Sequence, residues 1–119
     1  MLQKVNLRAA AESTEELFRY LEVGRLNGHV LSVLQAEDRT LDFHVHETSD
    51  ELFYVIEGQF ELEFDEPPGG GLVPLAAGDL LIIPKGTRHR PVVTGRILCL
   101  LMELDGTLTR ENTGGTYET

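Results

Sequence analysis

Polar and apolar positions alternate with period two over most of the chain. Val30 opens an apolar run to Ala36 just after Gly28. Leu41, Phe43 and Val45 alternate with Asp42, His44 and His46, and Phe60, Leu62 and Phe64 alternate with Glu61 and Glu63. Side chains on a strand repeat every second residue, so this pattern predicts half-buried β-strands. Strands are expected over 30–36, 40–46, 51–57, 60–64, 72–75, 80–84, 89–93 and 96–104. Turn signals separate them: Gly58, Asp65-Glu66-Pro67-Pro68-Gly69-Gly70-Gly71, Gly78-Asp79, Lys85-Gly86-Thr87 and Thr94-Gly95. Short strands at close spacing, with no helix between them long enough for a βαβ crossover, predict an all-β sandwich or barrel. One helix is expected ahead of them. Ser13-Thr14-Glu15-Glu16 reads as a capping box and Leu17, Phe18 and Leu21 as an apolar stripe, giving a helix over 14–23 that ends near Gly24.

Parity also sorts the faces. On a strand over 40–46, His44 and His46 point the same way. If that way is inward, Leu41, Phe43 and Val45 point outward. By the same logic Glu51, Phe53 and Val55 point inward, and Leu52, Tyr54 and Ile56 outward. An apolar outer face of this size should not be left in water. Either the N-terminal helix and strand or a second subunit covers it, and a homodimer is the favoured expectation.

Composition narrows the class. At 119 residues the chain is expected to be one domain, with a barrel over about 28–104 and residues 106–119 as an arm or partly disordered tail. That length buries a core without a disulfide or zinc staple. Twenty acidic residues against 10 basic ones give a net charge of −10. Such a field repels phosphate backbones and anionic lipid, so neither nucleic acid nor membrane is an expected partner. The single cysteine, Cys99, sits in an apolar run and reads as a buried, inert thiol. No stretch approaches the roughly 18 apolar residues that span a bilayer. A soluble, reducing, cytoplasmic setting is the expectation.

Candidate chemistry concentrates on four residues. His44, His46 and Glu51 lie close together in sequence, and His89 follows the Lys85-Gly86-Thr87 turn. Three imidazoles and a carboxylate form a borderline N/O donor set with no thiolate, suited to Fe, Mn, Ni, Co, Cu or Zn. Burying all four without a partner would be costly, which favours a metal over an empty polar core. Four protein ligands around an octahedral ion leave two positions open for water, O₂ or substrate. Arg88 and Arg90 flank His89, either as forked donors to an anionic substrate or as solvated rim charges. Asp42 is either an outer partner of a metal ligand or a surface acid, and Phe53 and Val55 are expected to wall the pocket.

The same residues carry a family resemblance. The first cupin motif is written G-x5-H-x-H-x(3,4)-E-x6-G; here His44, His46, Glu51 and Gly58 fit that spacing. The second is written G-x5-P-x-G-x2-H-x3-N; here Gly78, Pro84, Gly86 and His89 fit. Asp38 stands in place of the first glycine and Val93 in place of the asparagine. The chain thus resembles a small single-domain cupin, similar to those labelled mannose-6-phosphate-isomerase-like. The resemblance implies a double-stranded β-helix, or jelly roll, with His44, His46, Glu51 and His89 as metal ligands. It implies a metal-dependent enzyme acting on a small oxygenated or anionic molecule by oxygenase, isomerase or lyase chemistry. The alternative is a non-catalytic small-molecule binder of sensor or storage type. No separate general base stands out, and the fold does not choose among these reactions.

Overall fold

The computed structural model describes residues 2–109 and 112–114. It contains one short helix, α1 (Leu7–Glu12), and seven strands: β1 (Leu21–Leu26), β2 (His29–Thr40), β3 (Glu51–Glu57), β4 (Gln59–Phe64), β5 (Gly71–Ala76), β6 (Leu80–Ile83) and β7 (His89–Leu104). All pairings are antiparallel. One path runs β1-β2-β7-β3-β6, while β4 joins both β5 and β7.

The long β2–β7 ribbon organises the barrel. β2 pairs with β7 from His29↔Leu104 to Thr40↔Val92. On the other edge of β7, Leu52↔Met102 to Glu57↔Leu98 joins β3, and Phe60↔Val93 to Phe64↔His89 joins β4. β7 thus leaves one sheet and enters the other. The change happens where the β2–β7 register shifts between Glu37 and Arg39. Asp38 there has φ 44°, Gly95 opposite has φ 80°, and the Asp38 carboxylate accepts from the Gly95 N–H at 2.6 Å. A bulge of this kind bends a ribbon and sharpens its twist. Asp is among the few residues that tolerate the left-handed region, so Asp38 serves where the family motif has glycine.

Inside, Leu34, Ala36, Phe53, Val55, Phe60, Leu62, Val93, Ile97, Cys99 and Leu101 form one buried cluster. Burying a side chain of the Val, Leu or Phe class contributes about 1.5–3 kcal/mol. Outside, α1 covers part of the sheet: Ala11 packs with Val33 and Leu98, flanked by Ile56 and Leu100. Arg8 on α1 ties down to the Glu57 carboxylate. Beyond α1 the outer face keeps Leu80 and Ile82 more than half exposed.

Two expectations are corrected. The helix lies at 7–12, not 14–23. Its N-cap is Asn6, whose side chain accepts from the Ala9 N–H, and Ser13 is its C-cap, with its hydroxyl donating to the Ala10 carbonyl. Leu21 belongs instead to β1, paired with Val33, because an edge of β2 was available to pair with it. Second, 40–46 is not a continuous strand: β2 ends at Thr40, and only His44 makes a bridge, to His89. Leu41 therefore turns inward and is buried, while Phe43 and Val45 stay half-exposed.

Candidate metal centre

The two motif segments are laced together through their backbones. His44 and His89 exchange both backbone hydrogen bonds at 3.0 Å. The Gly86 N–H donates to the His46 carbonyl at 2.8 Å, and the Lys85 N–H to the Asp50 carboxylate at 2.9 Å. This pins the Lys85-Gly86-Thr87 turn, where Gly86 has φ 81°, against the His44–Glu51 segment. The spacing of the two motifs is therefore the spacing of this lacing.

His44, His46, Glu51 and His89 are all buried, with one donor atom from each within 4.8 Å of the others. The Nδ1 atoms of His44 and His89 lie 2.8 Å from the carbonyls of Asp42 and Thr87. Each imidazole therefore donates Nδ1–H outward, which leaves its Nε2 as the nitrogen that faces the cluster. His89 Nε2 is 3.2 Å from Glu51 Oε1, and His46 Nε2 is 3.3 Å from Glu51 Oε2. Neither ring nitrogen of His46 has a well-formed hydrogen bond.

Protonation favours ligation. Burial pulls His44 down to about 4, so it is neutral near pH 7. Burial alone would push the Glu51 carboxyl up, but the His46 and His89 imidazoles outweigh it and bring it down to about 2. A neutral imidazole and an ionised carboxylate are the forms a metal binds. With neither nitrogen of His46 in a well-formed hydrogen bond, this donor set fits a divalent transition metal.

The cluster opens on an interior chamber of about 30 Å³, roughly one water's share of liquid volume. Phe53, Leu41 and Phe60 wall it, and Phe18, Tyr20, Leu108 and Thr113 close it from the N- and C-terminal segments. Thr107, Thr113 and Gly114 are buried, so part of the expected tail packs on the barrel; its remaining residues, 110, 111 and 115–119, lie outside the described ones. The Gly114 carbonyl accepts from the Asp42 N–H at 2.8 Å. A Cβ on Gly114 would come within 3.0 Å of His44 Nδ1.

The other predicted residues disperse. Phe53 lines the chamber, whereas Val55 sits in the core cluster. The Asp42 side chain is exposed; its backbone carbonyl is what orients His44. Arg88 and Arg90 both stack on Phe43 and pair with Asp65 at 2.6 Å and Glu63 at 2.7 Å, away from the chamber wall.

One residue was not anticipated. Glu103 is 3% exposed and its Oε2 has no hydrogen-bond partner among the described residues. Burial, reinforced by the charge of Glu51, pushes its carboxyl up to about 8. Its signal was strand parity, since Ile97, Cys99, Leu101 and Glu103 share one face of β7. The run 97–102 is apolar on both faces, so the sequence did not say which face was inner.

A buried three-histidine, one-carboxylate cluster inside an antiparallel barrel defines the class, and the Cupin domain family matches residues 30–103. The chain belongs to the cupin family, with an all-β double-stranded β-helix fold. It is 37% identical over 92 residues to the uncharacterized protein YdbB of Bacillus subtilis (strain 168), covering 76% of each chain. A cupin-2 domain containing protein from Shewanella frigidimarina NCIMB 400 superposes with a TM-score of 0.76 at 22% identity, covering 84% of this chain and 93% of that one. Hydroquinone 1,2-dioxygenase PnpCD, solved with Cd2+ and 4-hydroxybenzonitrile, superposes with a TM-score of 0.67 at 20% identity, covering 95% and 76%.

Proposed function

We propose that this cupin is a metal-dependent enzyme acting on a small oxygenated molecule. The observation that carries the reading is the buried cluster of His44, His46, Glu51 and His89, with both nitrogens of His46 left without a well-formed hydrogen bond. His44, His46, Glu51 and His89 would hold a divalent Fe, Mn, Ni, Co, Cu or Zn ion, which would supply a Lewis-acid or redox centre. Asp42 and Thr87 hold two of the imidazoles in the ligating tautomer through their carbonyls. Phe53, Leu41 and Phe60 give the chamber apolar walls. Arg88 and Arg90 meet an anionic substrate only by leaving Asp65 and Glu63. That a hydroquinone dioxygenase shares the fold supports the reading only as far as showing that such a barrel hosts this chemistry.

A non-catalytic binder is the second reading, favoured by a chamber whose lining beyond the candidate donors is mostly apolar. For the assembly, we place a second copy of this chain on the outer face at Leu80 and Ile82, on the edge strand β6, with their apolar side chains exposed. The single buried cysteine suits a reducing, cytoplasmic setting. Among the described residues no helix is long and apolar enough to cross a membrane.

The test starts with metal analysis of untagged protein. Stoichiometric transition metal is expected; its absence after reconstitution sinks the reading. Thermal-shift screening of oxygenated acids and sugars on the loaded protein then finds ligands, and turnover of any hit separates enzyme from binder. Light scattering of native protein and Ile82→Lys tests the second copy.

A further inference from the structure

The inner face of the barrel changes character at one end. Along β2 the inward residues run Ala36 and Leu34, in the apolar cluster, and then the buried Ser32. Along β7 they run Ile97, Cys99 and Leu101, and then Glu103. Past this boundary lies a second cavity of about 270 Å³, walled by Tyr20, Glu22, Ser32, Glu103, Asp105 and Leu108. Tyr20 and Leu108 also close the metal chamber, so they form the partition between the two spaces. The metal chamber holds little beyond an ion, whereas the second cavity is close to the lower end of the roughly 300–1,000 Å³ typical of small-molecule sites.

We propose that this cavity binds a small molecule that presents an N–H or O–H donor to the Glu103 carboxyl, beside the metal centre rather than on it. Among the described residues no Lys, Arg or His lines the cavity. Arg25 engages two of its carboxylates, Asp105 at 2.7 Å and Glu22 at 3.0 Å, at the exposed rim. Among the described residues Glu103 is left as the buried carboxyl with an oxygen that nothing satisfies. Leaving such an atom unpaired is costly, and a ligand donor offsets that cost. Carboxylates at the rim and in the wall, with Glu51 beyond, disfavour an anionic ligand. Among the described residues Glu51 and Glu103 are the buried carboxyls, and the metal cluster accounts for Glu51 alone. The proposal does not depend on the metal reading, because binding is measurable in metal-free protein.

The experiment uses three ring probes of similar size: trans-cyclohexane-1,2-diol, trans-2-aminocyclohexanol and cyclohexanecarboxylate. Each is titrated into ¹⁵N-labelled metal-free and zinc-loaded protein, reading the amide signals of Ser32, Glu103 and Gly106. Saturable shifts are expected from the diol, the amino alcohol or both; which one binds tells a hydroxyl donor from an ammonium. Glu103→Leu weakens that binding by about tenfold or more, the scale of one hydrogen bond to a buried carboxyl, while zinc uptake stays native. Should Glu103→Leu fail to fold, Ser32→Val, which narrows the cavity from the neighbouring strand, must weaken binding likewise. The proposal is overturned if neither donor probe shifts these amides, if the carboxylate binds as well, or if the variant that folds binds as native protein does. Failure of zinc uptake with probe binding intact would overturn the metal reading and leave this one standing.

Discussion

Glu51 and Glu103 sit in one barrel, on neighbouring strands, both nearly out of reach of solvent. Glu51 faces two imidazoles about 3.2–3.3 Å away and is held ionised, near 2. Glu103 faces no such partner, feels the charge of Glu51, and is driven up to about 8. Burial pushes both the same way; what separates them is whether hydrogen-bonding imidazoles answer the charge. In this barrel, then, burial alone does not mark a candidate metal donor. The partner set does.

The largest effect that tests this contrast is on metal. His44→Ala with His46→Ala removes half the donor set and should lower affinity well beyond the roughly 10–100-fold that loss of an outer contact costs, by competition titration. Glu103→Gln should leave affinity unchanged; a comparable loss there would erase the distinction between the two carboxyls.

Next comes pH, read by urea unfolding of metal-free protein. Glu51 has a lowered folded value, so its contribution is present above the ordinary carboxyl range and lost as pH falls toward 2. Glu103 has a raised folded value, so stability is full below that range and declines as pH rises through about 8. Relative to native protein, Glu103→Gln should gain roughly 2–4 kcal/mol between pH 5 and pH 8. A flat difference would mean that Glu103 is solvated or paired in solution.

A smaller effect is expected at the C-terminal segment. Gly114 has φ 85°, and a Cβ there meets Leu41 Cβ at 2.8 Å and His44 Nδ1 at 3.0 Å. Gly114→Val should cost about 1–3 kcal/mol in urea unfolding and weaken zinc binding, because strain falls on the orienting side of His44. If stability drops and zinc affinity does not, the segment packs on the barrel without tuning the ligands.

The smallest concerns Cys99. Burial pushes its thiol up to about 12, so a thiol reagent at pH 8 should modify native protein only at the rate of its unfolding. Fast modification would show that the core around Cys99 opens without global unfolding.

How far the sequence carried these conclusions differs by element. The metal cluster was legible because turn glycines and prolines set the spacing, and that spacing reappears as the lacing of Gly86 to His46 and His44 to His89. The strands from 51 to 83 were legible because alternation there is clean; Glu51, Phe53 and Val55 are indeed buried while Leu52, Tyr54 and Ile56 are half-exposed. The helix was misread because Ser13-Thr14-Glu15-Glu16 has the composition of a helix start, while Ser13 in fact ends one. Local propensity gave way to pairing with β2, which recruited Leu21 into β1. Leu41 was misplaced because parity holds only along a continuous strand, and β2 stops at Thr40. The role of Asp42 survived in altered form, through its carbonyl rather than its carboxylate.

The His44–His89 bridge carries a last consequence. It joins residues 45 positions apart, and the donors come from both sides of it. An unfolded chain would have to close that long loop before all four could meet, so no local stretch of the sequence can gather the full set. Under the proposed metal reading, metal content works as a census: the fraction of chains that take up an ion counts the barrels that have finished closing.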